Sequence, residues 1–259
     1  MRPKLIIGAG VGWSATRSIM YSLKNYNHGL GKEDHILYQL SIVDPKHLRS
    51  FTESWETKER NKRYGYTDTP TLENFIEIYK KNAVGYDGVT DFTNANQIIR
   101  PEYLREIRPA LEDNFDVKVL MIFRDPVRRL FSECCAYYEK KWVQTDCKNV
   151  KEYFLFVLDN GSVTDSENYQ KYYDNWKQSE YKILPISMEK LYSGKKEELE
   201  NFLGFSIDLY PTAYYPERGM NAPLIPKLRD QKSDTDELSD DEYNYAKEKL
   251  EQHYKCEFL

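Results

Sequence analysis

The sequence predicts an α/β fold in which a central parallel sheet is covered by helices on both faces. Three observations carry this. Short apolar runs alternate with stretches of helical periodicity along most of the chain. One run, Val117 to Phe123, is almost continuously apolar, as a parallel strand buried on both faces requires. The first run, Leu5-Ile6-Ile7, ends in Gly8-Ala9-Gly10-Val11-Gly12, followed by small hydroxyl residues, an arginine and a helical pattern. Glycines let backbone N–H groups close on an anion, and a helix start adds its dipole and unpaired donors. Gly8 to Ile19 therefore reads as a phosphate-binding loop.

The elements follow in order. Behind the loop, Ile19, Leu23 and Tyr26 form one face of a helix that should stop at His28-Gly29-Leu30-Gly31. Ile36-Leu37-Tyr38 reads as a second short strand. Asp44 to Tyr66 is charged and aromatic, and Pro45 can begin a helix there. Thr71 to Lys81 is helical, with Leu72, Phe75, Ile76 and Tyr79 on one side; Gly88 to Phe92 is a strand with Asp91 near its end; Pro101 to Leu111 is a helix. After the Val117–Phe123 strand, Arg124-Asp125-Pro126 starts a helix whose stripe is Val127, Leu130, Phe131, Cys134 and Tyr138. Residues 149–178 are helical and aromatic-rich. Tyr181 to Ile186 is a late strand, and a helix through Phe202 and Leu203 closes at Gly204. Tyr210 to Ser233 is loop or hairpin. Ser239-Asp240-Asp241-Glu242 is a capping box opening a final helix with Tyr243, Ala246, Leu250 and Tyr254 inward.

Bulk properties bound the function. The 259 residues, 40% hydrophobic and 31% charged, suit a single domain over 1–259, with residues 40–88 as a candidate substrate-covering insertion. With 37 basic and 42 acidic residues the net charge is −5, which argues against a nucleic-acid partner while leaving room for a local basic pocket. Cys134, Cys135, Cys147 and Cys256 form no C-x-x-C pair and no zinc spacing, so a reduced, metal-free protein is expected. A strand pattern begins right after Met1, and no segment approaches ~20 apolar residues, so a cytoplasmic protein without a membrane partner is expected. The 22 tyrosines read mainly as half-buried packing with a wet hydroxyl.

The loop departs from the patterns of its two commonest ligand classes. A loop for nucleoside triphosphates needs lysine after its last glycine, and Trp13 stands there. A dinucleotide loop needs G-x-G-x-x-G; Gly8-x-Gly10 fits, but Trp13 occupies the third glycine position, which leaves a Rossmann-type dinucleotide-binding oxidoreductase as an alternative only.

Two stretches together resemble sulfotransferases that use 3′-phosphoadenosine 5′-phosphosulfate (PAPS). Gly10-Val11-Gly12-Trp13-Ser14-Ala15-Thr16-Arg17 resembles their G-x-x-[KR]-[SG]-G-T-[TR] loop, which holds the 5′-phosphosulfate. Val119 to Ser132, with Arg124-Asp125-Pro126 and Arg129, resembles their strand-R-[DN]-P-x-x-R-x-x-S motif, whose first arginine and serine bind the 3′-phosphate. An arginine at a strand end and a hydroxyl on the following helix can converge on one anion whatever the family. Ile183 to Leu191, with Phe202-Leu203-Gly204, and Arg218-Gly219-Met220-Asn221 are similar to the family's late strand, E-x-L segment, F-L-G helix and basic loop over the nucleotide.

The resemblance implies a P-loop-like three-layer α/β/α fold, PAPS as sulfonate donor with the desulfonated nucleotide (PAP) as product, and no metal. It implies nucleotide contacts from Gly12, Trp13, Ser14, Ala15, Thr16, Arg17, Ser18, Arg124, Ser132, Arg218 and Gly219. Lys32-Glu33-Asp34-His35 resembles the K-E-x-H segment of glycosaminoglycan sulfotransferases, so Glu33 is the expected base, with His35 and then Asp91 as alternatives and a carbohydrate or small molecule as acceptor. Arg17 is the expected stabiliser of the transferring group. Three departures stand out: Trp13 replaces a basic residue, Ala15 a glycine, and Phe92 the lysine of the family's [ED]-K-[ST]-P stretch. Arg17, Lys32 or Lys227 must supply the missing charge, or the protein is a non-catalytic nucleotide binder on the same fold.

Overall fold

β1 (Lys4–Gly8) lies at the middle of a sheet of five parallel strands, in the order β2-β3-β1-β4-β5, among the residues described by the computed structural model. Those are residues 2–10, 16–27, 36–41, 71–139, 141, 143–160, 169–209 and 238–251. The other strands are β2 (Tyr26–Asn27), β3 (Gly88–Phe92), β4 (Asp116–Phe123) and β5 (Ile183–Ser187). Between them run α1 (Thr16–Ser22), α2 (Ile36–Ser41), α3 (Leu72–Asn82), α4 (Pro101–Asn114), α5 (Pro126–Glu139), α6 (Val150–Asp159) and α7 (Tyr169–Lys177). After β5 come α8 (Met188–Tyr192), α9 (Glu197–Leu203) and α10 (Asp240–Glu251). A 3₁₀ turn spans Asn94–Ile98.

Strand periodicity sorts the side chains into two cores, and this makes the three layers. Leu5, Ile7, Val89, Val119, Met121 and Phe123 face one core, built with α2 to α7 and α10. Ile6, Phe92, Leu120, Ile122, Leu184 and Ile186 face the other, built with α1, α8 and α9. No helix among the described residues is long and apolar enough to cross a membrane.

Two expectations are corrected. The helix behind the loop ends at Ser22, and Tyr26 belongs to a strand paired in parallel with Gly88. The Ser22 hydroxyl bonds back to the Ser18 carbonyl at 2.7 Å, and two tight turns follow, Leu23 N–H to Met20 O at 3.1 Å and Tyr26 N–H to Leu23 O at 3.0 Å. Such turns end the helix yet leave Leu23 and Tyr26 buried in the same core as Ile19, which mimics one helical face in the sequence. Ile36-Leu37-Tyr38 is not a strand but the start of α2. Leu37 and Leu40, three residues apart, both pack on the larger core, a helical spacing hidden in a short apolar run. Within residues 40–88, α3 buries Phe75 and Tyr79 and is capped by the Thr71 hydroxyl, as its periodicity predicts. The segments Asp44–Tyr66 and Tyr210–Ser233 lie outside the described residues.

Candidate functional site

Strand order fixes where a ligand can enter. From β1 the chain leaves toward the β2 edge, whereas from β4 it leaves toward the β5 edge. Adjacent strands whose connections diverge open a crevice at their C-terminal ends, the position where open parallel sheets take ligands. Here that crevice lies between β1 and β4, flanked by the glycine loop and by the Arg124-Asp125-Pro126 turn. The order also differs from the 3-2-1-4-5-6 of dinucleotide folds, which argues against that alternative.

Gly10 makes the loop's approach to β4 feasible. A Cβ there would stand 2.9 Å from Ile122 Cβ, from the Ile122 carbonyl and from the Thr16 methyl. Ala9 N–H donates to the Leu120 carbonyl at 2.9 Å, and α1 starts at Thr16 with that residue buried. Ser18 is buried too, and its hydroxyl is hydrogen-bonded to Tyr192 of α8, so it ties α1 to α8. Arg17 is in α1. Gly12, Trp13, Ser14, Ala15, Lys32, Glu33, His35, Arg218, Gly219 and Lys227 lie outside the described residues.

On the other side of the crevice the Arg124-Asp125-Pro126 turn is held by four bonds. Asp125 is the N-cap of α5, its Oδ1 accepting the Arg128 N–H at 2.9 Å. Its Oδ2 accepts the Tyr243 hydroxyl of α10 at 2.8 Å. Its own N–H donates to Glu189 of α8 at 3.0 Å. The Tyr169 hydroxyl of α7 donates to the Arg124 carbonyl at 3.0 Å. Burial and then the Asp125 carboxylate, which holds its proton, push the Tyr243 hydroxyl up to about 12. Arg124 is half-buried directly after β4, and Ser132 is half-buried two turns along α5, so both sequence-matched residues stand on elements that meet at the crevice. Arg129, the second arginine of the motif, is instead a buried residue paired with Glu133 at 3.0 Å.

Sequence reading missed Tyr169, Tyr192 and Asn96, and did not foresee that Glu189 and Tyr243 hold the turn. Glu189 was visible only as part of the E-x-L match. The tyrosines reach the site from distant helices, and no local signal marks them.

Asp91 and Phe92 go to opposite faces of β3. Phe92 is buried in the α1-side core, and a Cβ on Gly8 would stand 2.4 Å from its ring. The ring thus covers Gly8, its partner in the strand register, and puts an apolar group where a basic residue is expected. Asp91 is wholly buried, with its Oδ1 accepting the Asn96 amide at 3.1 Å and its Oδ2 without a hydrogen-bond partner among the described residues. Desolvation lifts its carboxyl to about 6, against the Asn96 and Tyr79 hydrogen bonds that lower it. The 3₁₀ turn carrying Asn96 packs against α2, the helix that follows Glu33 and His35.

A cleft of about 270 Å³ runs along the outer edge of β5, between Ser187, Lys190, Lys195 and Glu198, and no sequence-predicted site residue lines it. No cluster of three metal-ligating side chains occurs among the described residues.

The fold and crevice define the chain as a P-loop-like α/β protein with a sulfotransferase-like fold. Among solved structures it is similar to a sulfotransferase from Alicyclobacillus acidocaldarius, at 15% identity and a TM-score of 0.52, with 97% of this chain and 95% of that chain covered. A sulfotransferase domain from the curacin biosynthetic pathway matches at 14% identity and TM-score 0.44, over 82% of this chain and 76% of that one. A sulfotransferase from Mycobacterium avium matches at 10% and 0.39, over 99% and 78%. No family model matches the sequence, and no curated protein does.

Proposed function

We propose that the protein is a PAPS-dependent sulfotransferase acting on a hydroxyl acceptor, most simply a carbohydrate. One observation carries this: the glycine loop and the Arg124 turn, each an anion-binding device by its own chemistry, flank the same crevice between β1 and β4. The residues fit such a nucleotide. Gly10 lets the loop pack closely on β4 at the crevice, and Arg124 with Ser132 offers a charged and a neutral donor for a 3′-phosphate. The bound nucleotide supplies an activated sulfonate. Loop amides, Thr16 and Arg17 stabilise charge around it, and Arg218 and Gly219 cover it. Glu33 withdraws the acceptor proton, with His35 or Asp91 as the other bases within the proposal.

A non-catalytic nucleotide binder is favoured by one observation. The Phe92 ring fills the space where relatives of this pattern carry a lysine, and it is buried rather than aimed at the crevice. Two measurements decide. PAP should raise the melting temperature where NAD and ATP do not, equivalent to roughly 3 kcal/mol at a hundredfold excess over Kd. Arg124→Ala should lose most of that shift; an undiminished shift sinks the assignment of Arg124. Incubation with PAPS and a panel of carbohydrate and small-alcohol acceptors, read by mass spectrometry, should give a sulfated product. Binding without transfer or hydrolysis favours the non-catalytic reading.

A further inference from the structure

Arg124 is carried by a turn that does not hold its shape through local bonds alone. The Asp125 carboxylate faces two ways: Oδ1 caps α5 through the Arg128 N–H at 2.9 Å, and Oδ2 takes the Tyr243 hydroxyl at 2.8 Å. Tyr243 lies at sequence separation 118 from Asp125, in the first turn of α10. That first turn is itself fixed. Ser239 and Glu242 exchange capping bonds of 2.8 and 3.3 Å, and Glu242 pairs with Lys151 of α6 at 2.7 Å. Ala246 and Leu250 bury the rest of the helix against the larger core. The Tyr243 hydroxyl is therefore presented to Asp125 by a rigid frame, while Tyr169 and Glu189 hold the Arg124 carbonyl and the Asp125 N–H from two other helices.

We infer that Tyr243 is a positioning residue for anion recognition: through Asp125 it sets the turn that aims Arg124 at the 3′-phosphate of a nucleoside 3′,5′-bisphosphate. The inference rests on the proposed nucleotide reading and extends it to a residue that touches no ligand. Removing the hydroxyl takes away one of the four bonds of the turn and loosens it where α5 starts, which shifts the guanidinium rather than the glycine loop. The loss is thus confined to ligands that carry a 3′-phosphate.

The test compares Tyr243→Phe with wild type for binding of PAP and of 5′-AMP by titration calorimetry, alongside melting temperature. PAP affinity should fall about three- to tenfold, the worth of one hydrogen bond, with 5′-AMP affinity unchanged. In an Arg124→Ala background, Tyr243→Phe should cost PAP nothing further, because the two act in series. Equal losses for both nucleotides, or a loss that persists without Arg124, mean a general structural role and overturn the inference. Full retention of PAP affinity in Tyr243→Phe overturns it as well. A wild type that binds PAP no better than 5′-AMP overturns the 3′-phosphate reading itself, an outcome visible before any variant is made.

Discussion

Asp91 is a carboxylate in the wrong solvent. It is wholly buried at the end of β3, one oxygen bonded to Asn96, and its carboxyl titrates near 6 instead of the ordinary 3.8. A folded value above the unfolded one means that protonation favours the fold. The stabilisation is fully present below about pH 3.8 and is lost as pH rises through 6, a swing on the order of 2–3 kcal/mol. Asp91→Asn cannot lose that proton. Its stability relative to wild type, from urea unfolding at several pH values, should therefore rise between pH 4 and 7 and then level off. A difference flat across this window would show that the carboxylate is solvated and paired in solution. At this scale the sequence was informative where chemistry is local: Asp91 at a strand end and Arg124-Asp125-Pro126 at a helix start could be read from spacing alone. It was silent where chemistry is long-range. Nothing near Asp125 announces that its second oxygen belongs to Tyr243, and nothing near Asp91 announces its burial.

At the scale of elements, helix ends decide the outcome. α9 stops at Gly204, and its last carbonyls are met from the sheet: Lys118 of β4 donates to Phe202 O at 2.6 Å and Leu203 O at 3.2 Å, and Lys4 of β1 to Leu203 O at 3.4 Å. The Lys4 ammonium also stands 5.1 Å from the Phe205 ring centroid and the Lys118 ammonium 5.5 Å from that of Phe202. Burial, the largest cause, lowers the Lys118 pKa, and Lys4 and Lys182 add to the effect. Lysines inside apolar strands read as misfits in sequence, yet they complete a helix C-terminus and oppose its dipole. Lys118→Met keeps the stem and removes the donors. It should cost about 1–2 kcal/mol in urea unfolding with the slope unchanged; an increase in stability would show that the charge is a burden there. The same end effects explain why α1 stops earlier than its pattern predicts and why α2 is a helix where the sequence predicts a strand. The tight turns after Ser22 keep Leu23 and Tyr26 in the core beyond the helix, and the apolar residues of α2 fit either period over six positions until its docking decides.

For the whole molecule, the two cores are not independent. β1 and β4 send alternate side chains to each face: Leu5, Ile7, Val119 and Met121 to one, Ile6, Leu120 and Ile122 to the other. The layered class was legible because this alternation leaves near-continuous apolar runs, whereas strand order was not, since pairing partners are chosen across the sheet. Sharing strands has a mechanical consequence. Loosening the α1 side must loosen the strands on which α4 and α7 pack, with α6 following through its packing on α5 and α10, and with them the Tyr169 and Tyr243 bonds that hold the Arg124 turn. Leu203 is fully buried on the α1 side. Leu203→Ala removes packing there and should destabilise by about 2–4 kcal/mol. Because the strands are common, hydrogen exchange in the variant should speed up in α6 and α7 peptides nearly as much as in α1 and α9. Protection lost only in α1, α8 and α9 would mean that each face unfolds on its own, and that the crevice between β1 and β4 is a boundary between two cooperative units rather than a cut into one.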